Sequence, residues 1–296
     1  MGIIVQKYGG SSLGDAKKIK LVAERIAKRS IETNNHIVTV CSAMADTTDD
    51  LISLANMVAN RPDQREMDVL LSTGETKSCA LLAMALLEMG HAAISLTGMQ
   101  AGIHTEASFG RARISDVQPD RIHSELERGK LVVVAGFQGV TDSFDITTLG
   151  RGSSDLTAVA LAAVLAAEKC EIYTDVDGIY TADPRIVPEA RKLDEIDYGE
   201  MLELASMGAK MQPRSIELAA IYNVPILVTS TFSQSSGTNI HGEVAMETRN
   251  RVRGVAHDLN VAKITVRRIP DKPGIAASLF EPLGDKGISV DTIVQN

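Results

Sequence analysis

No tryptophan occurs in the 296-residue chain, and aromatic residues make up only 3% of it. The core must therefore be built from Ala, Val, Ile, Leu and Met, a composition that suits helices layered on a buried sheet. Few rings also argue against a single-stranded nucleic-acid binder, which stacks bases on aromatic platforms. Positive charge is in deficit: the formal net charge is -8, and there is no basic stripe of the kind a nucleic-acid face needs. For anionic ligands, a minority of Lys, Arg and backbone N–H groups must converge in one cleft.

Cysteine is scarce as well. Cys41, Cys79 and Cys170 are scattered among apolar neighbours, and none sits in a CxxC. That excludes the usual zinc and redox motifs and suits reduced core residues of a cytoplasmic protein. The N-terminal MGIIVQKYGG turns polar at once, so no signal peptide is expected. Long hydrophobic runs are missing: Leu156 to Ala167 is Ala-rich and too short to cross a bilayer.

What is present is alternation. Short apolar runs read as buried strands at Ile3–Tyr8, Ile37–Cys41, Ala92–Leu96, Leu131–Ala135, Glu171–Thr174 and Ile226–Val228. Between them, helical spacing covers Asp15–Glu32, Thr48–Ala59, Glu75–Glu88, Arg121–Glu127, Asp155–Ala167 and Pro213–Tyr222. The pattern predicts an α/β fold, a mainly parallel sheet sandwiched by helices. Its ligands belong at the carboxyl ends of the strands. Residues 1–245 read as this α/β domain, and the polar, aperiodic stretch near 241–252 as a linker. In the 246–296 region, Ala262–Arg268 reads as a strand, Ile275–Lys286 as a helix and Ile288–Val294 as a second strand. This is half of a ferredoxin-like unit, and its open edge needs a partner.

Five loops carry candidate chemistry. Lys7-Tyr8-Gly9-Gly10-Ser11-Ser12 follows the first strand. Its glycines let backbone approach a phosphate, and the next helix N-terminus adds positive potential; an ordinary tight turn with a solvated lysine is the equal alternative. GxxxxGK[ST] is absent, so this is not a P-loop. Ser42–Thr48 offers hydroxyls to a ligand, or Asp46 or Thr47 caps the next helix. Ser72-Thr73-Gly74-Glu75 reads as a loop with Thr73 as a cap, or with Glu75 accepting from an ammonium group. Gly150-Arg151-Gly152-Ser153-Ser154-Asp155 opens a helix and reads as an anion cradle. Arg151 there suits a carboxylate, and Asp155 has capping as its alternative role. Finally Thr174 to Arg185 gathers Asp175, Tyr180, Asp183 and Arg185 after a buried strand, either a nucleotide site or a surface hairpin at Asp177-Gly178. Lys210 is a candidate phosphate ligand or a surface lysine.

Taken together and in order, KYGGSS, CSAMADTTD, STGE, GFQGVT, TTLGRGSSD, TDVDGIYTADPR and GAKMQPRSIE resemble the aspartate kinases of the amino-acid kinase superfamily. The resemblance runs from residue 3 to about residue 240. IPDKPGIAASLF and GISVDTIVQN look like the first half of that family's regulatory ACT domain.

The resemblance implies ATP and Mg²⁺ as cofactors, L-aspartate as the phosphoryl acceptor, and the entry step toward lysine, threonine and methionine. It implies Lys7 and Asp155 as the catalytic pair. Lys7, Tyr8, Gly9, Gly10, Thr174, Asp175, Tyr180, Asp183, Pro184, Arg185 and Lys210 would line the ATP site. Ser42, Thr47, Thr48, Glu75, Arg151, Gly152, Ser153 and Ser154 would bind aspartate. Asp271, Gly274, Gln295 and Asn296 match an inhibitor site for lysine or threonine. A homodimer or larger assembly, with a separate ACT-containing regulatory subunit as one option, would supply the missing edge. The family usually has Gly at position 153, where the side chain of Ser153 either narrows the cradle or is harmless. No protein metal ligand is named, because the phosphates would carry the Mg²⁺.

Overall fold

The structure is a computed structural model describing residues 2–209, 211–242, 254–257, 262–268, 270, 272, 274–285, 290 and 293–294. The chain divides into two units, residues 1–257 and 258–296. In the first, strands β1 (Ile3–Tyr8), β2 (His36–Cys41), β3 (Ala93–Leu96), β4 (Ile103–Thr105), β5 (Ile114–Val117) and β6 (Leu131–Ala135) are followed by β7 (Gln138–Val140), β8 (Ile146–Thr148), β9 (Lys169–Thr174), β10 (Glu195–Asp197), β11 (Ile226–Ser230) and β12 (Thr238–His241). The helices are α1 (Ala16–Thr33), α2 (Thr47–Val58), α3 (Gln64–Glu88), α4 (Asp120–Glu127), α5 (Ser154–Val164), α6 (Tyr198–Ser206) and α7 (Pro213–Tyr222).

Eight strands form the main sheet in the order β10-β12-β11-β9-β1-β2-β6-β3. All its pairings are parallel except β11 with β12. This is the expected mainly parallel sheet. Period-two alternation splits its side chains between two cores. Val5, Val38, Val132 and Val134 pack with α5 residues Ala158, Val159 and Leu161. Ile4, Tyr8, Ile37 and Val133 pack with Ile19, Val22 and Ile26 of α1 and Leu82 and Leu86 of α3. The same alternation sends Lys7 toward the α5 face and Gln6 and Tyr8 toward the α1 face.

A second sheet, β5-β4-β7-β8, lies outside every predicted strand. Its strands are three or four residues long and half polar, so they carry little periodic signal. Helix α3 corrects the sequence reading most. Asp63 caps it by accepting the Arg65 and Glu66 amides, so the helix starts eleven residues before Glu75 and STGE is mid-helix, not a loop. Gly74 is there for clearance: a Cβ would sit 2.9 Å from that of Ala43. Although α3 is long and apolar enough to cross a membrane, it buries Asp68, Glu75 and Ser78, as a core helix does.

In the second unit, α8 (Ile275–Asp285) forms as expected. Residues 262–268 join no sheet among the described residues, where a strand was expected. Without a ladder partner among the described residues the segment is not a strand. The strand expected at 288–294 falls mostly outside the described residues.

Candidate active site

At the carboxyl end of β1, Lys7 Nζ lies 2.7 Å from Asp155 Oδ1, with side-chain exposures of 13% and 8%. Asp155 Oδ1 meets no donor in hydrogen-bond alignment, so charge holds the pair. Asp155 sits inside the first turn of α5, where the helix dipole favours an acid. It does not cap the helix: the N-cap position is Ser153, and no side-chain cap bond forms. Gly9 keeps the flank of the ammonium open, since a Cβ there would be 3.7 Å from Lys7 Nζ. The Gly9 amide itself is taken, donating to the Tyr173 carbonyl at 3.2 Å. The Tyr8 side chain is also engaged, fully buried and stacked on Tyr173 with centroids 4.7 Å apart.

The loop after β8 is shaped by Gly150 at φ 93° and Gly152 at φ 78°, conformations that glycine adopts without steric cost. Between them Arg151 projects outward and pairs with Asp49 at 2.5 Å, with side-chain exposures of 76% and 61%. Ser153 does not narrow the cradle. Its φ is -79°, open to any residue, and its buried hydroxyl donates to the Leu149 carbonyl at 2.9 Å. Ser154 is buried beside it.

The loop after β2 meets this cleft from the other side. The Ala45 amide donates to the Gly10 carbonyl at 3.1 Å, and a Cβ on Gly10 would strike the Ala43 carbonyl oxygen at 2.7 Å. Asp46 stands at the N-cap of α2 without a capping bond, so the capping reading fails. The Thr47 hydroxyl accepts from Lys77 at 3.3 Å; Ser42 and Thr48 are half-buried. Glu75 reaches this loop from α3, accepting the Ala43 amide at Oε1, 3.1 Å away. Its Oε2 is buried without a partner. Burial pushes its carboxyl up to about 7, against the opposing pull of the Ala43 amide and its own.

Beyond β9, a pocket of about 350 Å³ is lined by Thr174, Asp175, Tyr180, Asp183, Pro184 and Arg185, so one cavity holds the predicted nucleotide residues other than those of the first loop and Lys210. Its size fits a small ligand. Asp177-Gly178 forms a bend here, not a hairpin turn. Arg185 holds Asp183 at 2.6 Å and keeps its carboxyl down at about 2. Sequence reasoning missed Val255, Ala256 and His257, which close the pocket wall after the Val255 amide bonds the Thr181 carbonyl at 2.8 Å. The linker reading of the residues just before them hid that role. Also missed were Asp68 and Arg214, which bond the backbone at the base of the Gly150 loop.

Lys210, Asp271, Gln295 and Asn296 lie outside the described residues. Gly274 precedes α8 at φ 91°. A larger groove of about 830 Å³ runs between β5, α5 and α7 and contains none of the predicted site residues. Among the described residues there is no group of three His, Cys, Asp or Glu able to cage a metal ion.

Comparison with known proteins bears on this geometry. The model of the amino acid kinase family matches residues 2–230. The chain is 52% identical over 297 residues to the aspartokinase of Geobacillus stearothermophilus, covering all of this chain and 73% of that protein. It is 52% identical over 301 residues to the aspartokinase of Corynebacterium glutamicum, of which it covers 71%. Among solved structures, aspartate kinase from Synechocystis superposes with a TM-score of 0.73 at 43% identity, over 96% of this chain and 48% of that one. Escherichia coli aspartokinase III in complex with aspartate and ADP superposes at 0.81 with 27% identity, over 99% of this chain and 76% of that one. The chain thus spans about three quarters of its curated relatives and about half of the Synechocystis protein.

Proposed function

We propose a division of labour in this site from one premise: the chain belongs to the amino acid kinase family and, within it, to the aspartokinases. It transfers the γ-phosphate of ATP to the β-carboxylate of L-aspartate, giving 4-phospho-L-aspartate. The observation that carries the reading is the Lys7–Asp155 pair at 2.7 Å, largely shielded from solvent and set where the glycine loops converge.

The nucleophile is an aspartate carboxylate, ionised at neutral pH because its pKa is ~3.9. It needs no general base. What it needs is alignment and relief of charge repulsion. Lys7 supplies the positive charge at the transferring phosphoryl group. Asp155 orients the Lys7 ammonium. With the Gly9 amide committed to Tyr173, the phosphate-facing backbone of the first loop begins at Gly10. Thr174, Asp175, Tyr180, Asp183, Pro184 and Arg185 hold the nucleotide, joined by Lys210. Tyr8 supports that site from the core through its stack on Tyr173.

Aspartate binds on the opposite wall. Arg151 leaves Asp49 to grip a substrate carboxylate, and Glu75 Oε2 accepts from the ammonium group. Ser42, Thr47, Thr48 and the Gly152–Ser154 backbone complete the site. Mg²⁺ carried on the nucleotide phosphates would supply further charge neutralisation. All three cysteines are buried and free, which supports a cytoplasmic setting. Residues 1–245 form the catalytic domain. Residues 246–296 carry ACT-like sequence, with Asp271, Gly274, Gln295 and Asn296 its inhibitor-contacting positions. That unit pairs in a homodimer or larger assembly.

The test is ADP release with ATP and Mg²⁺, comparing L-aspartate, glutamate, N-acetylglutamate and no acceptor. Release that depends on aspartate, with an acyl phosphate trapped by hydroxylamine, is the expected result. Equal release with N-acetylglutamate would overturn the acceptor assignment.

A further inference from the structure

Asp68 is an acid with 1% exposure near the start of α3. Its carboxylate accepts the Gly110 amide at 3.1 Å on Oδ1 and 2.9 Å on Oδ2. It also accepts the Thr148 amide at 2.8 Å on Oδ2 and the Thr148 hydroxyl at 2.7 Å on Oδ1. Neutral donors alone meet its charge, for it enters none of the ion pairs among the described residues. Both carboxylate oxygens are used as acceptors: Oδ2 takes the two amides and Oδ1 the Thr148 hydroxyl.

Those donors are not ordinary core groups. Thr148 ends β8 and leads directly into Leu149-Gly150-Arg151-Gly152. Its carbonyl accepts the Ala112 amide at 2.9 Å. The next carbonyl, of Leu149, accepts from Arg214 Nη1 at 2.9 Å and from the Ser153 hydroxyl at 2.9 Å. The base of the loop is therefore clamped at consecutive residues, and its glycine-shaped part begins at Gly150. Arg151 and Asp155 hang from that base.

We propose that Asp68 is a positioning residue for phosphoryl transfer: it fixes where the 149–155 loop leaves the sheet, and so where Arg151 and Asp155 stand. This rests on the aspartate kinase reading of the site. Misplacement of a reacting or binding group by about 1 Å costs on the order of a hundredfold. Asp68→Ala removes both acceptor oxygens from the two amides and the hydroxyl, and the loop base shifts.

The experiment is steady-state kinetics and thermal melting of Asp68→Ala beside wild type. The expected result is an aspartate KM raised, and a kcat lowered, by roughly tenfold or more each, with the ATP KM within about twofold, since Asp68 bonds none of the residues lining the nucleotide pocket. A purely structural role would lower the melting temperature and leave both aspartate parameters within about twofold in folded protein; that result overturns the proposal. Should Asp68→Ala fail to fold, Thr148→Val and Thr148→Ser decide. Thr148→Val deletes one of the bonds and is expected to raise the aspartate KM several-fold, while Thr148→Ser restores it. An unchanged KM in Thr148→Val overturns the proposal. Wild type that releases no ADP with aspartate overturns the parent reading as well, whereas active wild type with insensitive variants overturns only the role of Asp68.

Discussion

Glu75, in the middle of helix α3, accepts the amide proton of Ala43 across a 3.1 Å gap and keeps its second oxygen buried without a partner. A single acid thus ties a core helix to the loop after β2 and holds an acceptor in reserve. Its carboxyl titrates at about 7 because burial disfavours the charge. Only the ionised form attracts an ammonium group. The ionised fraction rises from about one tenth at pH 6 to about nine tenths at pH 8. The aspartate KM should therefore fall about tenfold across that interval while the ATP KM stays level. A flat aspartate profile would remove Glu75 from the substrate site.

The same group costs stability. Its folded pKa of about 7 lies above the ordinary 4.5, so protonation favours the folded state. That contribution is fully present below about pH 4.5 and is lost as pH rises to about 7. Glu75→Gln should gain on wild type by about 2 kcal/mol more at pH 8 than at pH 5. Chemical denaturation at the two pH values measures this, and the same gap at both would contradict it.

Arg151→Ala separates binding from stability. The Arg151–Asp49 pair is exposed, and such pairs contribute about 0–1 kcal/mol, so the melting temperature should move by no more than a few degrees. The aspartate KM should rise roughly ten- to a hundredfold, the worth of about 1.5–3 kcal/mol of charge-assisted bonding. An unchanged KM counts against the carboxylate role.

Gly10→Ala tests the approach of the first two loops. The new Cβ would lie 2.7 Å from a backbone oxygen of Ala43, which cannot swing aside as a side chain would. The expected cost is about 1–3 kcal/mol of stability, with a raised aspartate KM as residues 43–45 are displaced. Wild-type melting and kinetics would show that the loops have slack.

Much of this was legible in the residues. The six main strands predicted from apolar runs all lie in the large sheet, because strands buried on both faces read as continuous hydrophobic segments. The positions of Lys7 and Asp155 followed from a strand end and a helix start. Short half-polar strands such as β8 were not legible, and neither was the clamp of Asp68 on Thr148, because 80 residues separate the partners. The start of α3 was lost because Gly74 looked like a loop residue; its reason is a close approach to Ala43, which only the folded chain shows. The capping alternative for Asp155 was resolved in the same way, since its carboxylate turns to Lys7.

The central claim is that Lys7 and Asp155 act as one unit on the transferring phosphoryl group. Single-turnover transfer from ATP to aspartate in Lys7→Ala, Asp155→Asn and the double variant tests it most directly. Each single variant should lose on the order of 10² to 10³ in rate, and the double should lose little more than the worse single, as residues acting together do. Folded Lys7→Ala with near-normal transfer, or losses that multiply independently in the double, would contradict the account.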